Sequence, residues 1–147
     1  MDIIDVEIIN ILQENARTPV SDISKKVNLS PPAVADRIKK MVDSGIIRKF
    51  TAILEPNLNG RELEALLFVT LRSTTTANKF MKLVEEEPDI LSCFYLTGDY
   101  DYMIRISTKN TATLEKLLSK LRNLHEFART RTIIVLKTIK EMHSVKP

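Results

Sequence analysis

A change in hydrophobic spacing near residue 60 constrains this chain more than any other feature. Before residue 55, apolar residues recur every three to four positions in three short stretches, the spacing of amphipathic helices. After residue 60, β-branched and aromatic residues form short runs that alternate with two further helical stretches. Residues 55–60 contain a proline, a glycine and two asparagines, a composition typical of a linker. The chain of 147 residues is therefore predicted to form two small domains.

The first domain is predicted to contain three helices. The second and third each begin with a hydroxyl residue followed by proline, at Thr18-Pro19 and Ser30-Pro31, which is an N-cap followed by proline at the first helical position. Gly45 fits the position just past the third helix, and residues 46–54 are predicted to form one or two extended segments. The apolar stripe of the first helix consists of Ile4, Ile8, Ile11 and Leu12.

The second domain is predicted to have the element order β-α-β-β-α-β. This is the split, ferredoxin-like arrangement, in which two helices cover one face of a four-stranded sheet. The predicted strands and helices are, in chain order, 63–72, 78–86, 90–97, 102–108, 111–122 and 129–140.

The first and last predicted strands are apolar on both faces. In the first, Leu66 and Phe68 alternate with Leu67, Val69 and Leu71. The last alternates in the same way through residues 133–136. Strands that are apolar on both faces need both faces covered. A second copy of the sheet is the simplest cover and predicts an obligate dimer, although the third helix or the linker folding over the sheet would also cover it.

Basic residues are concentrated in the second and third predicted helices. Residues 1–24 hold one basic and five acidic residues, whereas residues 25–49 hold seven basic and two acidic ones. The basic block favours a face turned toward phosphates, although an ordinary solvated helix face explains the charge equally well. Three short helices, the last one basic and capped by Ser30, fit a helix-turn-helix whose third helix enters the major groove of double-stranded DNA.

The face of the third helix opposite Val34 and Ile38 is predicted to contact base edges. Arg37 is assigned to guanine, because its planar fork engages O6 and N7 together, and Ala33 is assigned to a thymine methyl. The predicted DNA-binding residues are Ser30, Pro32, Ala33, Asp36, Arg37, Lys39, Lys40 and Lys49.

The remaining members of this set are assigned to the DNA backbone or to the helix itself. Lys39, Lys40 and Lys49 are assigned to phosphates, contacts that position a protein without specifying sequence. Ser30 and the free N–H groups of its helix end are assigned to a further phosphate. Asp36 either accepts from cytosine N4 or pairs with Lys40 one turn later, and we favour the pair.

Few residues in the chain suit catalysis or metal binding. Three glycines, each explained by a turn or a linker, leave no phosphate-cradling loop. Cys93 lies in an apolar strand, and the two histidines have no carboxylate or cysteine at ligand spacing, so neither a metal nor a catalytic triad is expected. No run is long and apolar enough for a membrane helix. The N-terminus carries acids where a signal peptide carries bases, which predicts a cytoplasmic protein.

Longer sequence motifs support a specific family. The head reads D-x-x-D-x-x-I-I-x-I-L-x-x-N-A-R and L-S-P-P-A-V-x-x-R-I, and the second domain contains L-T-G-D-Y-D-Y-M. Over essentially its whole length the chain resembles the leucine-responsive regulatory protein/AsnC family of transcriptional regulators, with Met41 where the family usually has leucine. The resemblance implies an α+β chain, with a winged helix-turn-helix at 1–54, a linker at 55–60 and a ferredoxin-like βαββαβ (RAM/ACT-like) domain at 61–147.

The resemblance also implies an assembly and an effector. Family members dimerise through the sheet, often assemble further to octamers, and bind amino acids between dimers near a loop that here is Gly98-Asp99-Tyr100-Asp101. Asp99 or Asp101 suits an α-ammonium and exposed N–H groups suit a carboxylate, although a glycine–aspartate turn needs no ligand to explain it. Thr130 and Thr132 lie where the family places contacts from the partner side. No other cofactor is expected.

Two alternatives to a DNA-binding regulator remain. Sirohaem decarboxylases resemble these regulators in both domains, but they require residues that handle a tetrapyrrole, and we find no such set beside the basic third helix. A structural or amino-acid-storing protein would bind no promoter fragment. A Soret band in the purified protein supports the enzyme, and retardation of upstream DNA supports the regulator.

Overall fold

The computed structural model describes residues 1–55, 60–73, 77–123, 127–142, 144, 145 and 147. Most of the predicted linker and both histidines lie outside these residues. The chain divides into two compact units: Met1–Ile53 together with Lys140–Pro147, and Leu54–Ile139. The described part of the C-terminal segment belongs with the head, because Gln13 Nε2 donates to Ser144 Oγ at 2.8 Å and to the Val145 carbonyl at 2.7 Å.

The head contains three helices: α1 (Ile3–Glu14), α2 (Val20–Val27) and α3 (Pro31–Asp43). Asp2 caps α1 through a reciprocal pair, in which the Asp5 N–H donates to Asp2 Oδ1 at 2.8 Å and the Asp2 N–H donates to Asp5 Oδ2 at 2.9 Å. This capping box satisfies two amides at the start of the helix. The helices close on an apolar core made of Ile8, Ile9, Ile23, Val27, Val34 and Met41.

Two details of the head differ from the sequence prediction. Pro19 itself occupies the N-cap of α2 without a side-chain cap, while the Thr18 hydroxyl donates to the Asn15 carbonyl at 2.8 Å and closes the turn after α1. Residues 44–55, all of which are described, form no β-strand. A strand needs a neighbour to complete its hydrogen-bond ladder, and no strand of this chain pairs with that segment within the described residues.

The second unit contains β1 (Leu63–Leu71), α4 (Ala77–Glu86), β2 (Ile90–Tyr95), β3 (Tyr102–Thr108), α5 (Thr111–Arg122) and β4 (Phe127–Val135). The strands form one sheet in the order β2-β3-β1-β4, and every neighbouring pair is antiparallel. This is the predicted split arrangement. The last strand ends five residues earlier than predicted.

The two faces of the sheet have different surroundings. Residues directly opposite one another in antiparallel strands share a face. On one face, Phe80 of α4 and three leucines of α5 bury Ala65, Leu67, Val69, Ile104 and Ile106. We call the other side the open face, because no helix of this unit covers it within the described residues. Its apolar residues are Leu66, Phe68, Phe94, Met103 and Ile133.

Candidate nucleic-acid interface and effector loop

The burial of α3 shows which of its faces is available to DNA. Val34 and Met41 are buried against the head core. An α-helix turns about 100° per residue, so Arg37 lies within about 60° of both, on the inner half of the helix. The residues on the opposite, exposed face, which we call the outer face of α3, are Pro32, Ala35, Asp36, Lys39, Lys40 and, at the C-terminal end, Asp43.

Arg37 is held by α1. Its Nη1 atom lies 2.7 Å from Asp2 Oδ2 and 2.7 Å from Asp5 Oδ1, and the Asp5 side chain is only 17% exposed. The Asp5 amide and the Arg37 guanidinium hold the pKa of Asp2 below its ordinary value, and the two carboxylates raise the pKa of Arg37. The guanidinium that the sequence assigns to guanine is therefore engaged within the head, and Ala33 lies on the same half-buried flank.

The start of α3 offers no free amide for a phosphate. Proline has no N–H, so Pro31 and Pro32 remove the first two donors of the helix. The next two are used, because the Ala33 N–H donates to Ser30 Oγ at 3.4 Å and the Val34 N–H donates to the Ser30 carbonyl at 3.1 Å. The N–H groups of residues 31–34 are therefore absent or engaged within the helix, and Ser30 serves as the N-cap.

The charged residues of the outer face are partly paired. Lys40 Nζ lies 2.8 Å from Asp36 Oδ2, and this contact lowers the pKa of Asp36. The favoured pairing of Asp36 is confirmed. Lys39 and Lys49 are exposed, as contacts to phosphates require. Sequence reasoning missed Ala35, which is exposed on this face and which a helical projection from the buried Val34 and Met41 identifies.

The predicted effector loop is anchored to the end of β1. The Asp101 N–H donates to the Val69 carbonyl at 3.0 Å, and Asp101 Oδ2 accepts from the Leu71 N–H at 2.9 Å. Gly98 has φ +125°, a conformation that L side chains rarely adopt, so this glycine is required by the turn. The Asp101 carboxylate is therefore occupied in holding the loop, whereas the Asp99 carboxylate makes no contact with the described residues.

Aromatic and cationic contacts complete the loop on the open-face side. The Tyr100 ring lies 5.6 Å from that of Phe68, and the Arg129 guanidinium stacks 4.3 Å from the Tyr100 centroid. Arg129 also donates to the Asp99 carbonyl. These contacts fix the Tyr100 side chain, and they place an arginine beside the loop that sequence reasoning did not include.

Thr130 and Thr132 lie on the other side of the sheet. They are opposite Val69 and Leu67, so they point to the face that the helices cover, away from Tyr100. One chain does not bring all six predicted effector residues around one ligand. Thr130 instead lines a pocket of about 240 Å³ with Arg72, Arg122 and Arg129, near the ends of β1 and α5 and the start of β4. Arg72, directly after β1, and Arg129, near the start of β4, were a signal in the sequence that the prediction missed.

A helix-turn-helix with an exposed basic face, joined to an α/β sheet with a structured loop, defines a DNA-binding transcriptional regulator that carries a ligand-binding domain. Two family models match: a winged helix-turn-helix DNA-binding domain over residues 1–48, and the Lrp/AsnC ligand binding domain over residues 64–145. The chain belongs to the Lrp/AsnC family of regulators.

Similar proteins agree in sequence and in structure. The HTH-type transcriptional regulator FL11 of Pyrococcus abyssi is 38% identical over 96% of this chain and 93% of its own. The leucine-responsive regulatory protein of Haemophilus influenzae is 32% identical over 96% and 87%. A solved Neisseria meningitidis transcriptional regulator in complex with L-Met superposes with a TM-score of 0.93, at 31% identity, covering 99% of this chain and 96% of that one. These relatives are regulators, and within the described residues no helix is long and apolar enough to cross a bilayer.

Proposed function

We propose that this chain acts as a cytoplasmic homodimer that binds operator DNA through α3 and whose binding responds to an amino acid held at the Gly98–Asp101 end of the sheet. In this proposal residues 1–54 form the DNA-binding domain, 55–60 the linker and 61–147 the effector and assembly domain, and the protein has no enzymatic activity. The observation that carries the effector proposal is that the Asp99 carboxylate has no partner in the described part of the chain, while the Asp99 carbonyl accepts from Arg129, an arginine of the three-arginine pocket.

The two charged ends of an amino acid fit these groups. A carboxylate is best bound by arginine, whose planar donors match its two oxygens, and Arg72, Arg122 and Arg129 line one pocket. An α-ammonium needs an acceptor, and Asp99 is the loop carboxylate without a partner in the described part of the chain. The L-Met bound by the Neisseria relative supports this ligand class.

The open face of the sheet supports the dimer. Phe94 is 50% exposed and Ile133 38% exposed there, next to the half-buried Leu66 and Phe68. An ion pair between Arg105 Nε and Glu64 Oε1, at 2.6 Å, lies on the same face and satisfies both charges within the chain. A face of this kind buries well against a second copy of itself. We propose further assembly of dimers to an octamer, which would bring Thr130 and Thr132 of one dimer toward the loop of another.

The test combines DNA retardation, calorimetry and sedimentation. The DNA fragment upstream of the protein's own gene is titrated with and without each of the twenty amino acids. We expect retardation at nanomolar to micromolar protein, a change of about 5–150-fold in affinity with at least one amino acid, and a change of assembly state with the same ligand. Retardation that no amino acid alters, with no heat of binding at millimolar ligand, would contradict the effector proposal and leave DNA binding standing.

A further inference from the structure

The N-terminal end of the outer face of α3 is poor in hydrogen-bonding groups. Pro31 and Pro32 are exposed and carry no N–H, and the Ala33 and Val34 amides are used by Ser30. The next exposed residue is Ala35. The first turn and a half of α3 therefore presents carbon to its surroundings.

The polar side chains further along α3 are largely engaged. Arg37 is bound by Asp2 and Asp5, and Asp36 is paired with Lys40. Among the described residues, Lys39 is the one outer-face side chain of α3 with a free donor. No arginine, asparagine or glutamine, the side chains that read guanine and adenine bidentately, lies on this face.

Base edges in the major groove differ in how they meet a carbon surface. Thymine presents a C5-methyl group, whereas guanine, adenine and cytosine present donors and acceptors. Pressing carbon against a G·C pair removes water from those groups without replacing their hydrogen bonds, which is unfavourable. Pressing carbon against a thymine methyl buries apolar surface on both sides.

From this surface we infer that α3 specifies its operator through thymine methyl groups contacted by Pro32 and Ala35, and that it does not read guanine through Arg37. The inference rests on DNA binding by α3 and names the base chemistry that α3 selects. Lys39 and Lys40 then hold phosphates on either side of the contacted bases. Arg37 acts as a positioning residue, because its two ion pairs hold the face of α3 that carries Ala33 toward α1 and leave Ala35 outward.

Base analogues test this inference with the full-length protein and its footprinted operator. Each thymine of one half-site is replaced in turn by deoxyuridine, which lacks only the methyl group. Each guanine is replaced by 7-deazaguanine, which lacks the N7 acceptor. At constant salt, we expect one or two uridine positions per half-site to weaken binding by about fourfold each, the effect of one buried methyl. We expect 7-deazaguanine to have no effect under α3.

Two matched variants assign the contact to the protein side. Ala35→Gly removes the proposed methyl contact, and Ala33→Gly makes the same change on the half-buried flank of the same helix. We expect Ala35→Gly to lose its sensitivity to uridine at one position, and Ala33→Gly to keep it. Either glycine is expected to weaken the helix to a similar degree, so the two variants are matched in stability. Thermal unfolding of both variants checks that each head is folded.

The outcomes separate this inference from the assignment of function. No retardation of unmodified operator would overturn both. Retardation that no uridine weakens, or that 7-deazaguanine within the half-site weakens about tenfold, would overturn the thymine inference and leave DNA binding intact. Sensitivity to uridine that Ala35→Gly retains unchanged would overturn the assignment of the contact to Ala35.

Discussion

At the scale of single residues, Arg37 connects α3 to the start of α1. Asp2 and Asp5 of α1 receive the guanidinium of a residue more than thirty positions later in the chain. The contact is partly buried, with Arg37 30% exposed and Asp5 17% exposed. In our inference Arg37 orients α3 and does not read bases.

Replacing Arg37 tests this role directly. Arg37→Ala leaves the half-buried Asp5 carboxylate without its cation, so we expect the head to melt at a lower temperature. Because the orientation of the whole helix is affected, we expect operator and non-operator duplexes to lose affinity together, to within about threefold. Thermal unfolding and retardation on both duplexes measure this. A specific relaxation at one base pair of each half-site, with stability unchanged, would restore Arg37 as a base reader.

The lowered pKa of the Asp2 carboxyl predicts that the stability of the head depends on pH. The Asp5 amide and Arg37 lower the pKa of Asp2 in the folded head. The resulting stabilisation is fully present above the unfolded-state pKa of about 3.9 and is lost as the pH falls through the lowered folded-state value. We expect Asp2→Asn, which caps without titrating, to show a smaller loss of melting temperature than wild type between pH 5 and pH 3, taken as about that window. If wild type and Asp2→Asn lost melting temperature equally over this pH range, the stabilising role of the ionised Asp2 carboxylate would be contradicted.

The two carboxylates of the predicted effector loop, Asp99 and Asp101, differ in their hydrogen-bond partners. Asp101 accepts from the Leu71 amide, whereas Asp99 has no partner among the described residues. We expect Asp99→Asn to weaken amino-acid binding by at least about tenfold, the loss of a charge-assisted contact. Asp101→Asn keeps an acceptor oxygen for Leu71 and should bind nearly as well as wild type. Calorimetry on both variants decides between them, and the reverse order of affinities would reassign the ammonium contact to Asp101.

At the scale of elements, the open face of the sheet is the surface through which we propose that the protein dimerises. The strand register shows which residues a test of the dimer should leave unchanged: Val69 is fully buried under the helices, and Ile134 lies opposite Ala65 on that same face. Phe68 and Ile133 belong to the open face. A charge at position 69 would therefore test folding, and a charge at position 68 tests association.

Phe68→Asp is expected to dissociate the dimer. An unpaired carboxylate in an apolar interface costs about 3–5 kcal/mol, which corresponds to about 10²–10⁴-fold in the dissociation constant. Met81→Asp places the same charge on an exposed apolar position of α4 and serves as the control. Sedimentation of both variants across a concentration series measures the effect. A Phe68→Asp protein that stays dimeric would exclude the open face as the interface.

At the scale of the whole molecule, the net charge of +3 conceals a strongly uneven distribution. Lys39, Lys40 and Lys49, within the basic segment 25–49, face phosphates in our proposal, so binding should release counterions. If a dimer neutralises roughly 6–10 phosphates, affinity is expected to fall by about 10³–10⁵ between about 50 and 200 mM salt. Retardation assays over that range give the slope. Lys39→Ala should reduce it, whereas Lys116→Ala on the exposed side of α5 should not.

The amino-acid sequence by itself determined the element order, the caps of α1 and α3 and most of the two cores. These depend on neighbours a few positions apart: Val34 and Met41 face inward because they lie two helical turns apart, and Leu67 and Val69 share a face because strands alternate. The two prolines at the start of α3 also showed in the sequence that its first amides were missing, although the assignment of a phosphate to that helix end did not take this into account. The motifs identified the family over both domains.

Tertiary structure decided everything that depends on which surfaces meet. The burial of Met41 beside Val34 and the pairing of Arg37 with Asp2 and Asp5 show which side of α3 faces the head core, and they leave Ala35 exposed and Ala33 half-buried. The register of β1 with β4 places Thr130 and Thr132 away from Tyr100, and Gln13 Nε2 donates to the Val145 carbonyl at 2.7 Å, which brings the C-terminal segment back to α1. Periodicity specifies which face of a single helix or strand is buried. Contacts between residues that are far apart in the sequence, such as Arg37 with Asp2 or Gln13 with Val145, depend on the packing of the completed fold.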